Sequence, residues 1–339
     1  MGIFKILGDE LVSFFGIDAW LAMFKSGDYS SLQTLDGIIS ATGPIIPLLL
    51  LIEIIRSLIY REFKVDDYRL PFFIIVFNRF LSRFISLAVV AFCISKLESH
   101  ALFKSGFTWY WLIYGYVIWE LGHFIYHFTT HKIRLLWCLH ATHHIPEKMN
   151  LSVSYAHFFL EAPYADLIRT STCILAGVNP PLLFFIMFVD GTWGGFIHIG
   201  ENLLKNARLG FLNHLILTPS HHRVHHARNP LYMDTNFCNF IGVWDRIFGT
   251  YQIEDRNIPV EYGITRKVNP NNFWDSYFGE VYYLWRDVKK APGFKNKLFY
   301  LIMPPGWSHN GDNKTAKKIR TDYLQKQKPN SHKSLVNGH

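Results

Sequence analysis

The sequence predicts an all-α integral membrane protein, a bundle of about three to four transmembrane helices plus a membrane hairpin, with a cytosolic histidine-lined cap for two metals. Three observations predict it. Half of the 339 residues are hydrophobic and only 18% are charged, against roughly a quarter in ordinary soluble domains, and mean hydropathy is positive at +0.11. Aromatic residues reach 17%, and Trp, Tyr and Phe gather at the edges of long apolar runs, as interfacial belts do. Of the 17 histidines, 13 fall between His123 and His226. Disorder, a coiled coil and an ordinary soluble enzyme are excluded.

The elements follow in order. Residues 1–35 mix apolar and charged side chains and allow an interfacial helix around Leu11–Phe24. The start MGIFKILGDE lacks the apolar core and cleavage site of a signal peptide, and Ile6 stands where myristoylation needs Ser or Thr. Ile38–Tyr60 is the first expected span, with Glu53 and Arg56 on one face, where they could pair. Phe72–Leu97 is the second and Phe107–Phe128 the third, each long enough for about 30 Å of hydrocarbon. Two weaker segments, 157–178 and 181–199, form the hairpin, with Asn179-Pro180-Pro181 as its turn. Residues 200–305 hold no clear span. These readings divide the chain into N-terminal membrane helices (1–106), a catalytic domain (107–255), a C-terminal cap extension (256–307) and a basic disordered tail (308–339).

Charge is uneven. The tail carries seven Lys/Arg against two Asp, five of the eight net positive charges. With no basic and aromatic module beside it, it reads as a cytosolic tail and not as a nucleic-acid site. Arg61, Lys64 and Arg69 in the loop after the first span put that loop, and with it the end of the third span, in the cytosol. Cys93, Cys138, Cys173 and Cys238 are scattered without CxxC spacing, which fits free thiols better than a disulfide framework.

The histidines are patterned. His123 and His127 stand at i, i+4; His140, His143 and His144 form HxxHH, and His222, His225 and His226 form it again; His198 ends the hairpin. On a helix these spacings share a face, so each cluster can aim two or three imidazoles at one point. The topology returns all of them to one membrane side. Eight or nine neutral imidazoles exceed the roughly four to six positions of one ion, which implies two metals. An interfacial histidine belt is the bland alternative. His131 and His157 stand close enough to orient a ligand or to be structural, His214 reads as structural, and His221 can hydrogen-bond to orient a ligand or be structural. Cys138 and Cys238 lie near the clusters but are poor ligands beside activated oxygen. Glu120, Glu161, Asp166 and Asp190 are carboxylates within reach, and Asp245 reads as structural.

The order His123-x3-His127, His140-x2-His143-His144, His222-x2-His225-His226 resembles the fatty acid hydroxylase and sterol desaturase superfamily of membrane di-iron enzymes. So do Asn150-Leu151-Ser152, Thr218-Pro219-Ser220 and the run Trp244–Thr250; together these cover about residues 110–251. Tyr262-Gly263-Ile264-Thr265, Pro292-Gly293-Phe294 and Pro305-Gly306-Trp307 are similar to the C-terminal part of the alkylglycerol monooxygenases. The resemblance implies two Fe held by His123, His127, His140, His143, His144, His198, His222, His225 and His226, with O2 as co-substrate. The implied reaction is hydroxylation of a fatty acyl, sterol or ether-lipid C–H bond, with desaturation as the alternative; at the ether carbon, hydroxylation cleaves the ether. No haem, flavin or dinucleotide motif is present, so electrons come from a partner protein or a diffusible reductant, tetrahydropterin being the one the resemblance names. The lipid can rise between the helices along Phe158, Phe159, Phe184 and Phe185, which can equally be packing residues. A zinc metallohydrolase lacks its HExxH here. A metal transporter lacks repeated halves and midplane ligands.

Overall fold

The computed structural model describes residues 17–28, 42–78, 81–269 and 272–327, with isolated positions 12, 30, 34 and 37. Every regular element among them is helical, apart from a single bridge between Ala227 and Tyr262. Helix α1 (Asp18–Ser26) overlaps the expected interfacial helix, whose first residues lie mostly outside the described ones. The first expected span becomes α2 (Ile45–Ile59), beginning behind Pro44; residues 38–41 lie outside the described ones. The second divides into α3 (Val65–Asn78) and α4 (Leu81–Leu97). Asn78, near the start of the expected span, donates to the His157 carbonyl and accepts from the Tyr277 hydroxyl. The third span is α5 (Trp109–Lys132), which runs four residues past Phe128.

The hairpin is α7 (Glu161–Leu175) and α8 (Pro180–Phe196), following α6 (Arg134–His144). Its turn works as the sequence suggests: the Asn179 side chain accepts the Leu182 N–H at 2.8 Å, and Pro180 takes the first helical position. Among the described residues no helix is long and apolar enough to cross a membrane, so no described helix reproduces a span as drawn from sequence. Helices α2 and α4 have 15 and 17 residues, while α5, long enough, carries Glu120, three histidines and Lys132.

Helix α7 packs against α4 and α5, and α5 also meets α8. Tyr116, Trp119, Cys173, Ile174, Leu182 and Ile186 form the core that joins these helices. Gly122 permits the α5–α7 approach, since a Cβ there would stand 2.9 Å from Arg169 Cα. The remaining helices are α9 (Pro219–His225), α10 (Val243–Phe248), α11 (Phe273–Lys290), α12 (Gly293–Ile302) and α13 (Ala316–Gln327). Helices α11 and α12 pack on α6 and cap the far side of the histidines.

Helix α13 corrects the disordered tail. Ala316–Gln327 is helical, and Arg320 donates to Gln252 Oε1 at 3.0 Å, which ties it to the body; residues 328–339 lie outside the described ones. Glu53 and Arg56 do not pair. Arg56 bridges to Glu62 at 2.9 Å, while buried Glu53 accepts the N–H groups of Leu151 and Gly200, both at 2.8 Å. Gly200 is required there, because a Cβ would lie 2.3 Å from Glu53 Oε1. All four cysteines are free and buried.

Candidate metal centre

Nine buried imidazoles gather in two adjacent groups. His127, His131, His140, His144 and His225 form one; His143, His198, His222 and His226 form the other; within each, ligand atoms lie within 4.8 Å of one another. Helix geometry explains the division. In each HxxHH motif the i, i+4 pair points one way and the i+3 member, rotated away, points elsewhere. So His140 and His144 join the first group and His143 the second, while His222 and His226 join the second and His225 the first. Each motif helix serves both groups.

Five of the nine rings are fixed from behind, while His143 Nδ1 is buried with no hydrogen-bond partner. His127 Nδ1 donates to the Phe237 carbonyl and His225 Nδ1 to the Thr235 carbonyl, both at 2.8 Å, and His198 Nδ1 to the Gly194 carbonyl at 2.6 Å. His140 Nδ1 meets Glu161 Oε1 at 2.5 Å and His131 Nδ1 meets Asp234 Oδ1 at 3.3 Å. A neutral ring that donates through Nδ1 has only a lone pair at Nε2. Yet His127 Nε2 and His144 Nε2 each lie 3.0 Å from His140 Nε2, and the second group has Nε2 separations of 3.1, 2.8 and 3.0 Å. His131 Nε2 and His225 Nε2 are buried with no hydrogen-bond partner. Lone pairs this close repel unless a cation lies among them. Ligands about 2.1 Å from one ion, at right angles, stand roughly 3.0 Å apart. The donor sets therefore fit metal ions.

Burial first, and neighbouring imidazoles second, hold His143, His144, His222, His225 and His226 well below the usual histidine range. These five rings stay neutral at physiological pH, the form that binds metals.

The sequence-predicted positions separate here. Eight of the nine enter the groups; His123 does not, and its Nδ1 lies 3.8 Å from Asp190 Oδ2. His131 takes the place expected for it, so the i, i+4 pair of α5 in the site is His127 and His131. The signal was present as a second HxxxH overlapping the first. Among the described residues no carboxylate or cysteine enters either group. Glu161 holds His140 and His157 and accepts from Tyr126; Asp166 pairs with Arg169; Glu120 accepts the N–H groups of Asn239, Phe240 and Ile241. His157 stacks on His143 with ring centres 4.2 Å apart. His221 closes the capping box of α9, accepting from Thr218 N and contacting the Tyr251 hydroxyl.

The motifs beyond the histidines form the frame. Asp245, of the Trp244–Thr250 run, accepts Phe237 N and Cys238 N at 2.8 Å and so fixes the carbonyl that holds His127. Asn150 caps the 3-10 turn Leu151–Tyr155 by accepting Ser152 N.

Two cavities reach the groups from different sides. The first, about 510 Å³, runs from Gly43, Ile46 and Pro47 past Met187 and Phe188 to His127, His140, His143, His198 and His222. None of Phe158, Phe159, Phe184 and Phe185 lines it; Phe158 packs on Tyr277 and Phe185 on Phe107. The second, about 780 Å³, reaches His131, His144 and His225 and is walled by Gly263-Ile264-Thr265 and Pro304-Pro305-Gly306.

Residues 112–250 match the fatty acid hydroxylase family. All nine grouped histidines lie inside the matched residues. The chain is 30% identical over 289 residues to human alkylglycerol monooxygenase, covering 82% of this chain and 62% of that one. It is 34% identical over 204 residues to the alkylglycerol monooxygenase of Danio rerio, covering 60% and 43%. An ornithine lipid hydroxylase of Rhizobium tropici matches at 27% over 157 residues, 46% of each chain. The chain thus spans less than two thirds of the length of the alkylglycerol monooxygenases it matches. No solved structure matches.

Proposed function

We propose that the chain is a di-iron lipid monooxygenase. It uses O2 and external electrons to hydroxylate a C–H bond in a lipid, with the carbon beside an alkylglycerol ether oxygen as the preferred target. The observation that carries this reading is the pair of buried imidazole clusters, with Nδ1 of His127, His131, His140, His198 and His225 anchored from behind. His127, His131, His140, His144 and His225 would hold one iron, and His143, His198, His222 and His226 the other. Bound there, the two irons would supply O2 activation strong enough to attack an unactivated C–H bond. The ligand sets favour iron over hydrolytic zinc, because four or five imidazoles without a carboxylate base leave no hydrolase site. The relatives' names support hydroxylation over desaturation.

The protein supplies position and dryness. The apolar stretch Ile46, Pro47, Met187 and Phe188 suits an alkyl chain, and the carbonyls behind His127, His198 and His225 keep those rings from turning. In the overall reaction one oxygen atom enters the C–H bond and the other leaves as water, using two electrons and two protons. At an ether carbon the product is a hemiacetal that collapses to an aldehyde and an alcohol. The second cavity gives a separate approach for the electron donor, a partner protein or a diffusible reductant such as a tetrahydropterin.

Membrane association belongs to the same reading. Leu58, Ile59, Phe72, Val76, Phe84 and Phe92 on α2–α4 are all more than half exposed, large apolar side chains that a bilayer would cover. The chain is therefore read as a multi-pass protein of the endoplasmic reticulum or a bacterial inner membrane, with the histidines and C-terminal tail on the cytosolic side. The test is turnover of 1-O-hexadecylglycerol under 18O2 by the full chain in detergent, with a chemical reductant. Label in the aldehyde product, released only when the reductant is present, supports the proposal; product formed anaerobically overturns it.

A further inference from the structure

We infer that His123 is a specificity residue for the lipid's polar end: with Asp190 it holds an uncharged hydroxyl in the first cavity. This rests on the oxygenase reading and names the substrate feature that the site selects.

The imidazole left out of the metal groups has its own setting. His123, Asp190 and Arg169 all line the first cavity. His123 Nδ1 and Arg169 Nε are buried without a hydrogen-bond partner. Asp190 Oδ1 already receives Tyr116 at 3.2 Å and Asn239 at 2.8 Å, so Oδ2 is the oxygen turned toward His123, 3.8 Å away. That gap is too long for a direct hydrogen bond. A hydroxyl lying about 2.8 Å from both atoms donates to Asp190 and accepts from His123.

The charges select an uncharged group. Arg169 is paired with Asp166 at 2.8 Å, and two carboxylates, Asp190 and Glu161, face the same cavity. A carboxylate or phosphate headgroup would meet these acids, whereas a glycerol-like alcohol meets one acceptor and one donor. The His123 and His127 rings are 5.6 Å apart, so a hydroxyl held at His123 places carbons a few bonds away beside the metal groups.

The test uses the full chain in detergent: wild type, His123→Phe and His123→Asn. Binding of 1-O-hexadecylglycerol and of hexadecyl propyl ether, the same skeleton without hydroxyls, is measured by calorimetry, with iron content in parallel. Wild type should prefer the diol by at least about tenfold. The preference should collapse toward one in His123→Phe and return in part in His123→Asn, with iron content unchanged. An unaltered preference in His123→Phe, no preference in wild type, or loss of iron from His123→Phe would each overturn the inference. Binding needs no turnover. If wild type binds with the stated preference but makes no O2-dependent product, the oxygenase reading fails and the hydroxyl subsite stands.

Discussion

His143 and His144 are sequence neighbours, yet their nitrogens join different groups, because adjacent side chains diverge by about 100° around a helix. The HxxHH spacing alone therefore contains the division into two sites. It cannot contain the choice between His123 and His131. These flank His127 by four residues each and stand about 12 Å apart along α5, so one metal group can use only one of them. The choice is made by α6 and α9, which bring His140, His144 and His225 to the C-terminal end of α5. At this scale Glu161 is the most exposed to test. Glu161→Gln removes the anion behind His140 and should weaken metal affinity about ten- to hundredfold by chelator competition; unchanged affinity would show that Glu161 does not tune the site. Acid should act through a ring beside the site. His221 is lowered to about 4, burial being the largest cause. The unfolded chain, titrating near 6.5, therefore binds more protons between those values, and stability falls as pH drops from about 6.5 toward 4. Metal-free protein should melt several degrees lower at pH 5 than at pH 7, and a flat profile would contradict this.

One short segment organises the first metal group. Asp234 holds His131, the Thr235 carbonyl holds His225 and the Phe237 carbonyl holds His127. Asp234 and Asn236 adopt left-handed backbone with φ of 57°, which Asn and Asp tolerate best among residues other than Gly. Asp245 and Glu120 accept the N–H groups of residues 237–241 and keep the segment in place. The Trp244–Thr250 run was legible as a structural motif. Its effect was not, because it acts on a loop with no period of its own. Asp245→Ala should cost about 2–4 kcal/mol in denaturant unfolding, since it leaves two buried N–H groups unpaired. It should also lower metal occupancy although Asp245 contacts no histidine nitrogen. Loss of stability with full metal occupancy would confine Asp245 to folding.

At the scale of the molecule, hydropathy foretold helices and the order of the segments. It missed the break in the second span and the polarity of the third, because Asn78 and the buried polar residues of α5 lie within apolar runs and serve tertiary contacts. The C-terminal motifs were legible as a resemblance, but their place as a wall of the second cavity depends on residues 263–265 and 304–306 meeting in space. Helices α2–α4 still turn large apolar side chains outward, Phe72 and Phe84 being 61% and 69% exposed. The chain should float with phospholipid vesicles at high salt, and Phe72→Lys with Phe84→Lys should weaken flotation, since charge on a lipid-facing surface costs a few kcal/mol per residue. Equal flotation of the variant would place the membrane contact elsewhere.

The central claim is that nine imidazoles in two groups hold two irons, with His131 among them and His123 outside. Iron per chain after anaerobic purification tests it most directly. The account predicts about two irons in wild type and in His123→Phe, and at most about one in His131→Ala. Iron retained by His131→Ala and lost from His123→Phe would contradict it.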